Sequence, residues 1–215
     1  MQKYLIAVCI LIMSACAPSR FVQPLSEGEQ AIGFNLGGSL FDYSGTTIPV
    51  PLTSITYGKG ISEKLTAFGS LHTTSLLFNN FQIEAGVLSE FRKQEGMIPA
   101  FSSALTLNFV TELSEGNAKI WPQIDGNAYW ALKENKHMPY LGYSIWIDPN
   151  IMSDNGIGII NPHFGYRYRM GSWDVSTEMK LLAPGHDNSK VFVPYKSLQG
   201  SKGATGVYFN ISKRF

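Results

Sequence analysis

From Ala31 onward the chain alternates. Ile32, Phe34, Leu36 and Leu40 are separated by Gly33, Asn35, Gly37 and Ser39. This is the period of two that defines a β-strand with one apolar and one small or polar face. Alternation, or a short apolar run between turn residues, marks further strands at about 50–58, 65–74, 81–91, 100–113, 119–132, 140–148, 162–170, 173–182 and 205–215. The pattern predicts an all-β protein, a closed antiparallel up-and-down β-barrel of about ten strands. Each holds the roughly 9 to 11 residues that the membrane portion of a tilted crossing strand needs. The links at 59–64, 92–99, 133–139 and 171–172 are short, as is 44–47, whereas 149–161 and 183–204 are long. Short turns at one end and longer loops at the other fit such a barrel.

The two-residue link Gly171-Ser172 fixes a register. It pairs Met170 with Trp173, Tyr168 with Val175, Tyr166 with Thr177 and Phe164 with Met179 on one face. The other face pairs Arg169 with Asp174, Arg167 with Ser176, Gly165 with Glu178 and His163 with Lys180, with Arg167 diagonal to Asp174 and Glu178. One face is oily and the other ionic. In a soluble barrel the oily face is the core; in a membrane barrel the order is inverted. Tyr57, Trp130, Tyr140, Tyr168, Trp173 and Phe215 all fall near the short-turn end, where an aromatic girdle at a membrane interface would lie.

Before Ala31 the pattern changes. Lys3 and the apolar run Tyr4 to Met13 read as the basic and hydrophobic regions of a signal peptide, residues 1–15. As a helix, that run rises only about 15 Å, half the hydrocarbon thickness. Residues 16–29, with Pro18 and Pro24, read as a tether beside the barrel at 30–215. Cleavage before Cys16 removes Cys9 and leaves Cys16 alone, so no internal disulfide forms. The 17 Lys and Arg against 16 Asp and Glu become balanced once Lys3 is lost. A neutral chain without a basic tract gives no nucleic-acid footprint. With 21 Gly, 13 Phe, 10 Tyr and 4 Trp, composition favours aromatic-rich strands over amphipathic helices.

Two segments carry a resemblance. Met13-Ser14-Ala15-Cys16 resembles the lipobox of bacterial lipoproteins, with Met13 where Leu is commoner. The terminal run Val207, Phe209, Ile211 and Phe215 resembles the closing, assembly-signal strand of bacterial outer-membrane barrels, Lys213 departing from the pattern; Tyr57 to Leu65 is similar to their periplasmic hairpins. The resemblance implies an outer-membrane location, lipidation at Cys16, and as partners outer-membrane lipid and the barrel-assembly and lipoprotein-export machineries.

The inward series holds the candidate chemistry: His72, Glu84, Glu90, Lys119, Gln123, Asp125, Asn127, Asp148, His163, Arg167, Arg169, Asp174, Glu178 and Lys180. Opposite charges in a barrel of this size read as a filled lumen. One alternative is a barrel enzyme acting on lipid A or peptides, for which Ser75 as nucleophile and His72 as base are the nearest pair; two residues do not make a triad. The histidines lack metal-site spacing, and no cofactor motif is present. A second alternative is a lipid-tethered, lipocalin-like barrel binding an apolar ligand, which needs apolar residues inside. The sequence favours a non-enzymatic barrel with a structural or surface-interaction role.

Overall fold

The computed structural model describes residues 21–147, 158–188 and 195–215. The signal segment, Cys16 and Asp148 lie outside them. Among the described residues eleven strands form one antiparallel sheet: β1 (Gln30–Tyr43), β2 (Thr46–Pro49), β3 (Leu52–Ser62), β4 (Leu65–His72), β5 (Asn80–Arg92), β6 (Ala100–Glu112), β7 (Ala118–Tyr129), β8 (His137–Trp146), β9 (Ile159–Met170), β10 (Trp173–Asp187) and β11 (Lys202–Arg214). Each barrel strand pairs with its sequence neighbour, and β1 pairs with β11 from Ala31–Arg214 to Ser39–Gly206. That pairing closes a ten-strand barrel and leaves it no free edge.

The eleventh strand, β2, lies outside the ring. Ser44 and Gly45 both adopt positive φ, 49° and 83°, and fold the chain back so that β2 pairs with the upper end of β1. Left-handed residues at both turn positions match the twist of a two-residue hairpin. The segment read as the 44–47 link therefore contains part of this hairpin. Residues 73–74, assigned to a strand, instead open the short helix α1 (Thr73–Leu77). The 59–64 link shrinks to Glu63 and Lys64, because β3 runs on to Ser62.

The β9–β10 register is the one the Gly171-Ser172 turn dictates, from Met170–Trp173 through His163–Lys180. Across the barrel the apolar series faces out: Leu107 is 53% exposed, Ile120 57% and Phe164 59%. The polar series faces in and is buried, including Glu84, Asp125, Asp174, Glu178 and Lys180. A water-soluble barrel would reverse this order. Trp173, Tyr57 and Phe215 stand outward near the short turns. Tyr140 does not join that girdle. It is buried, pairs with Gly165 and points inward, because its face is set by the β8 alternation that turns Leu141 and Tyr143 outward.

The chain before β1 is the largest departure. From Phe21 it is packed inside the short-turn mouth of the barrel and does not lie beside it. Val22 and Leu25 are 6% and 5% exposed. Their burial against inward side chains outweighs the freedom a tether would retain.

Candidate functional site

The lumen brings the polar residues together, in layers. At the long-loop end, inward Leu52, Trp146, Leu182, Ala204 and Tyr208 pack with Tyr195 into an apolar cap. Tyr195 bridges to Phe41, and the Lys196 amide donates to the Leu40 carbonyl (2.8 Å). Residues 195 and 196 thus fill the seam between the upper ends of β1 and β11. Lys196 also places its ammonium 2.7 Å from Asp42 on the outer rim.

Below the cap is a polar column. Ser144 Oγ donates to Asp125, whose two oxygens also accept from Gln123 Nε2 at 3.0 and 2.9 Å. Lys180 Nζ lies 3.4 Å from both Ser144 Oγ and Glu178 Oε1. Tyr140 donates its hydroxyl to Glu178 (3.1 Å), and His163 Nε2 donates to Asn127 Oδ1 (2.8 Å). The Ser144–Asp125, Lys180–Ser144, Tyr140–Glu178 and His163–Asn127 contacts tie β7, β8, β9 and β10 together, while Gln123–Asp125 and Lys180–Glu178 lie within one strand. On the opposite wall Asn35, Ser54, Thr56 and Ser70 form a hydroxyl–amide patch. Burial of these charges is tolerable because each meets an opposite charge or a donor.

The third layer is cationic. Arg169 grips Asp174 in a bidentate pair (2.8 and 3.0 Å), and Arg214 Nε approaches the same carboxylate at 3.4 Å. Arg214 also donates to Glu29 (2.7 Å) and to the Gly171 carbonyl (2.6 Å). Beside it, the Gln30 and Phe215 backbones exchange hydrogen bonds at 2.9 Å. The chain of groups Glu29–Arg214–Asp174–Arg169 therefore fastens the two ends of the described chain to β10. Arg167 approaches Asp174 at 4.0 Å and donates to Gln23 and Asn135, while Glu178 pairs with Lys180.

Residues 21–29 seal the mouth. The Phe21 ring centroid lies 6.0 Å from that of Phe68, beside Leu88 and Ala104. Val22 joins Ala100, Tyr129, Met138 and Tyr140, and its carbonyl accepts from Ser102 Oγ (2.6 Å). The Leu25 amide donates to Thr66 Oγ1 (2.8 Å). Two inward glycines of β3 make the room: a Cβ on Gly58 would lie 2.5 Å from the Phe21 ring, and one on Gly60 only 1.8 Å from the Ser26 carbonyl. Gln23 accepts from Asn135 Nδ2 (2.7 Å) as well as from Arg167 (3.0 Å). Asn135 closes a run of three left-handed residues, Lys133, Glu134 and Asn135, at φ 50°, 57° and 65°. Such a run costs about 1–2 kcal/mol per residue, and the Gln23 and Arg167 bonds hold it.

The residues considered for catalysis do not meet. Ser75, buried in α1, donates to Gln82 Oε1 (2.8 Å), whereas His72 Nε2 lies 3.4 Å from Glu84 Oε2. Neither contact links Ser75 to His72. Among the described residues no group of three or more His, Cys, Asp or Glu is placed to hold a metal ion. In the last strand Phe209, Ile211 and Phe215 are exposed on the outer face and Val207 is half-buried. Lys213, the polar member of that row, lies 5.6 Å over the Trp173 ring. Gln23 and Asn135 were not singled out by sequence; both sit in segments without periodicity.

No family model matches the chain, and no curated protein does. Among solved structures it is similar to the translocator domain of the autotransporter NalP from Neisseria meningitidis, at 10% identity over 100% of this chain and 94% of that one (TM-score 0.43). It is similar to an outer membrane channel from Pseudomonas putida F1 at 6% identity, covering 93% and 100% (TM-score 0.44). The N-terminal β-barrel domain of Pseudomonas aeruginosa OprF matches at 8% identity, covering 89% and 100% (TM-score 0.34).

Proposed function

We propose that this chain is an outer-membrane β-barrel lipoprotein with a structural or surface-interaction role, its lumen filled by its own charges and by residues 21–29. The observation that carries the membrane reading is the inversion of faces: Glu178 and Lys180 are buried inside while Leu107 and Phe164 stand exposed outside. Only a hydrocarbon surround makes that outer belt favourable. A lipocalin-like calyx calls for the opposite order. The closing strand with Phe209, Ile211 and Phe215 on its lipid side serves in this reading as the assembly signal.

Lipid attachment at Cys16 rests on Met13-Ser14-Ala15-Cys16. Phe21 enters the barrel at the short-turn end, and five residues of chain span at most about 18 Å. An acylated Cys16 therefore has only the leaflet at that end within reach. Labelled palmitate is expected to incorporate into wild type and not into Cys16→Ala; label in the variant would remove the lipoprotein claim. The barrel claim is separable. Refolded Cys16→Ala in detergent should run as a compact, heat-modifiable band, and a single mobility before and after boiling would contradict it.

A further inference from the structure

The two rims of the barrel differ in charge. Lys59, Lys64, Lys93, Lys133, Lys136 and Lys213 are exposed at the short-turn rim. At the other rim the exposed lysines among the described residues are Lys196 and Lys202, and Lys196 is already paired with Asp42. Two of the short-turn lysines lie over outward rings: Lys136 Nζ is 5.6 Å from the Tyr168 centroid and Lys213 Nζ 5.6 Å from that of Trp173. Trp173 stands in register between Met170 and Lys213. The apolar belt therefore ends in rings and a thioether with ammonium groups beside them, the arrangement in which lysine stems follow apolar surface and the charge reaches the headgroup level.

Between the β7–β8 and β9–β10 turns this rim is indented by a groove of about 570 Å³, lined by Lys133, Glu134, Lys136, Tyr168, Met170 and Gly171. The left-handed run brings the Lys136 amide within 3.1 Å of the Lys133 carbonyl, so both lysines serve the same groove. Glu134 is its one carboxylate, and Arg169, which also lines it, is committed to Asp174. We propose that this groove binds the phosphodiester headgroup of an anionic phospholipid in the leaflet at the short-turn end. Lys133 and Lys136 hold the phosphate, and Tyr168 and Met170 lie against the first methylenes. The assignment rests on the membrane reading above.

The test uses the full chain in detergent, titrated with phosphatidylglycerol or phosphatidylcholine and read by native mass spectrometry. Phosphatidylglycerol should be retained in preference. At roughly fivefold per lysine, Lys133→Gln with Lys136→Gln should weaken it about 25-fold, while Lys196→Gln with Lys202→Gln leaves it unchanged. Inorganic phosphate, which lacks acyl chains, should not displace the lipid. Equal retention of both lipids, retention indifferent to the first double variant, or displacement by inorganic phosphate would overturn the assignment. Gel mobility of the same samples separates the two readings: a folded, heat-modifiable chain without lipid preference sinks the groove alone, and a chain with no such form sinks the membrane reading.

Discussion

Lys180 is 1% exposed, with its ammonium 3.4 Å from Glu178, deep in a barrel whose outer face is oily. A cation in that position is stable only while its partners remain, because removing one leaves the other buried and uncompensated. Lys180→Met should therefore lower stability by about 3–5 kcal/mol, and adding Glu178→Leu should restore much of it, since an apolar pair of similar volume strands no charge. Unfolding midpoints in detergent for both singles and the double measure this. If each single costs at most about 1 kcal/mol, as solvent-exposed pairs do, the residues are not in a filled lumen. That both share the ionic face was legible from alternation, because a strand's period of two assigns a face to every residue once one turn fixes the register; which face turns inward was not. Their partners were harder to read. Arg167 was expected close to Asp174 and Glu178; the acceptors it donates to, Gln23 and Asn135, are 144 and 32 residues away in sequence, and no local pattern encodes contacts across a lumen.

At the scale of elements, long strands were visible and short or aperiodic pieces were not. Four-residue β2 and five-residue α1 hold too few positions for a period to show. Phe21 to Leu25 has apolar residues without a regular spacing, so its burial depends entirely on the mouth it enters. The glycines Gly58 and Gly60 are the one sequence signal for it: two inward positions without side chains, facing a space that something must fill. Gly60→Ala places a Cβ against the Ser26 carbonyl, and overpacking of this kind costs about 1–3 kcal/mol. The segment 21–29, held by fewer bonds than the strands, should yield first. Limited proteolysis of the folded variant is expected to cut within 21–29 faster than in wild type while the barrel fragment persists. Unchanged cleavage would mean that the segment is not seated against β3.

For the whole molecule, closure and strand order followed from the pattern of alternation, which fits either orientation of the faces; the inversion was read from the aromatic residues near the short turns and the resemblance of the last strand. The closing of both mouths followed from neither, because it depends on segments that acquire meaning only when the barrel has formed. An apolar cap at one end and residues 21–29 at the other leave a polar column between them. The central claim is that the oily face meets lipid. Leu107 and Phe164 lie on that face, and single cysteines replacing them in a background with both Cys9→Ser and Cys16→Ala accept a fluorescent label without entering the lumen. In vesicles whose acyl chains carry bromine, the account predicts strong quenching of both labels by the lipid and little by aqueous iodide. Labels that iodide quenches and brominated lipid does not would place this face in water and contradict it.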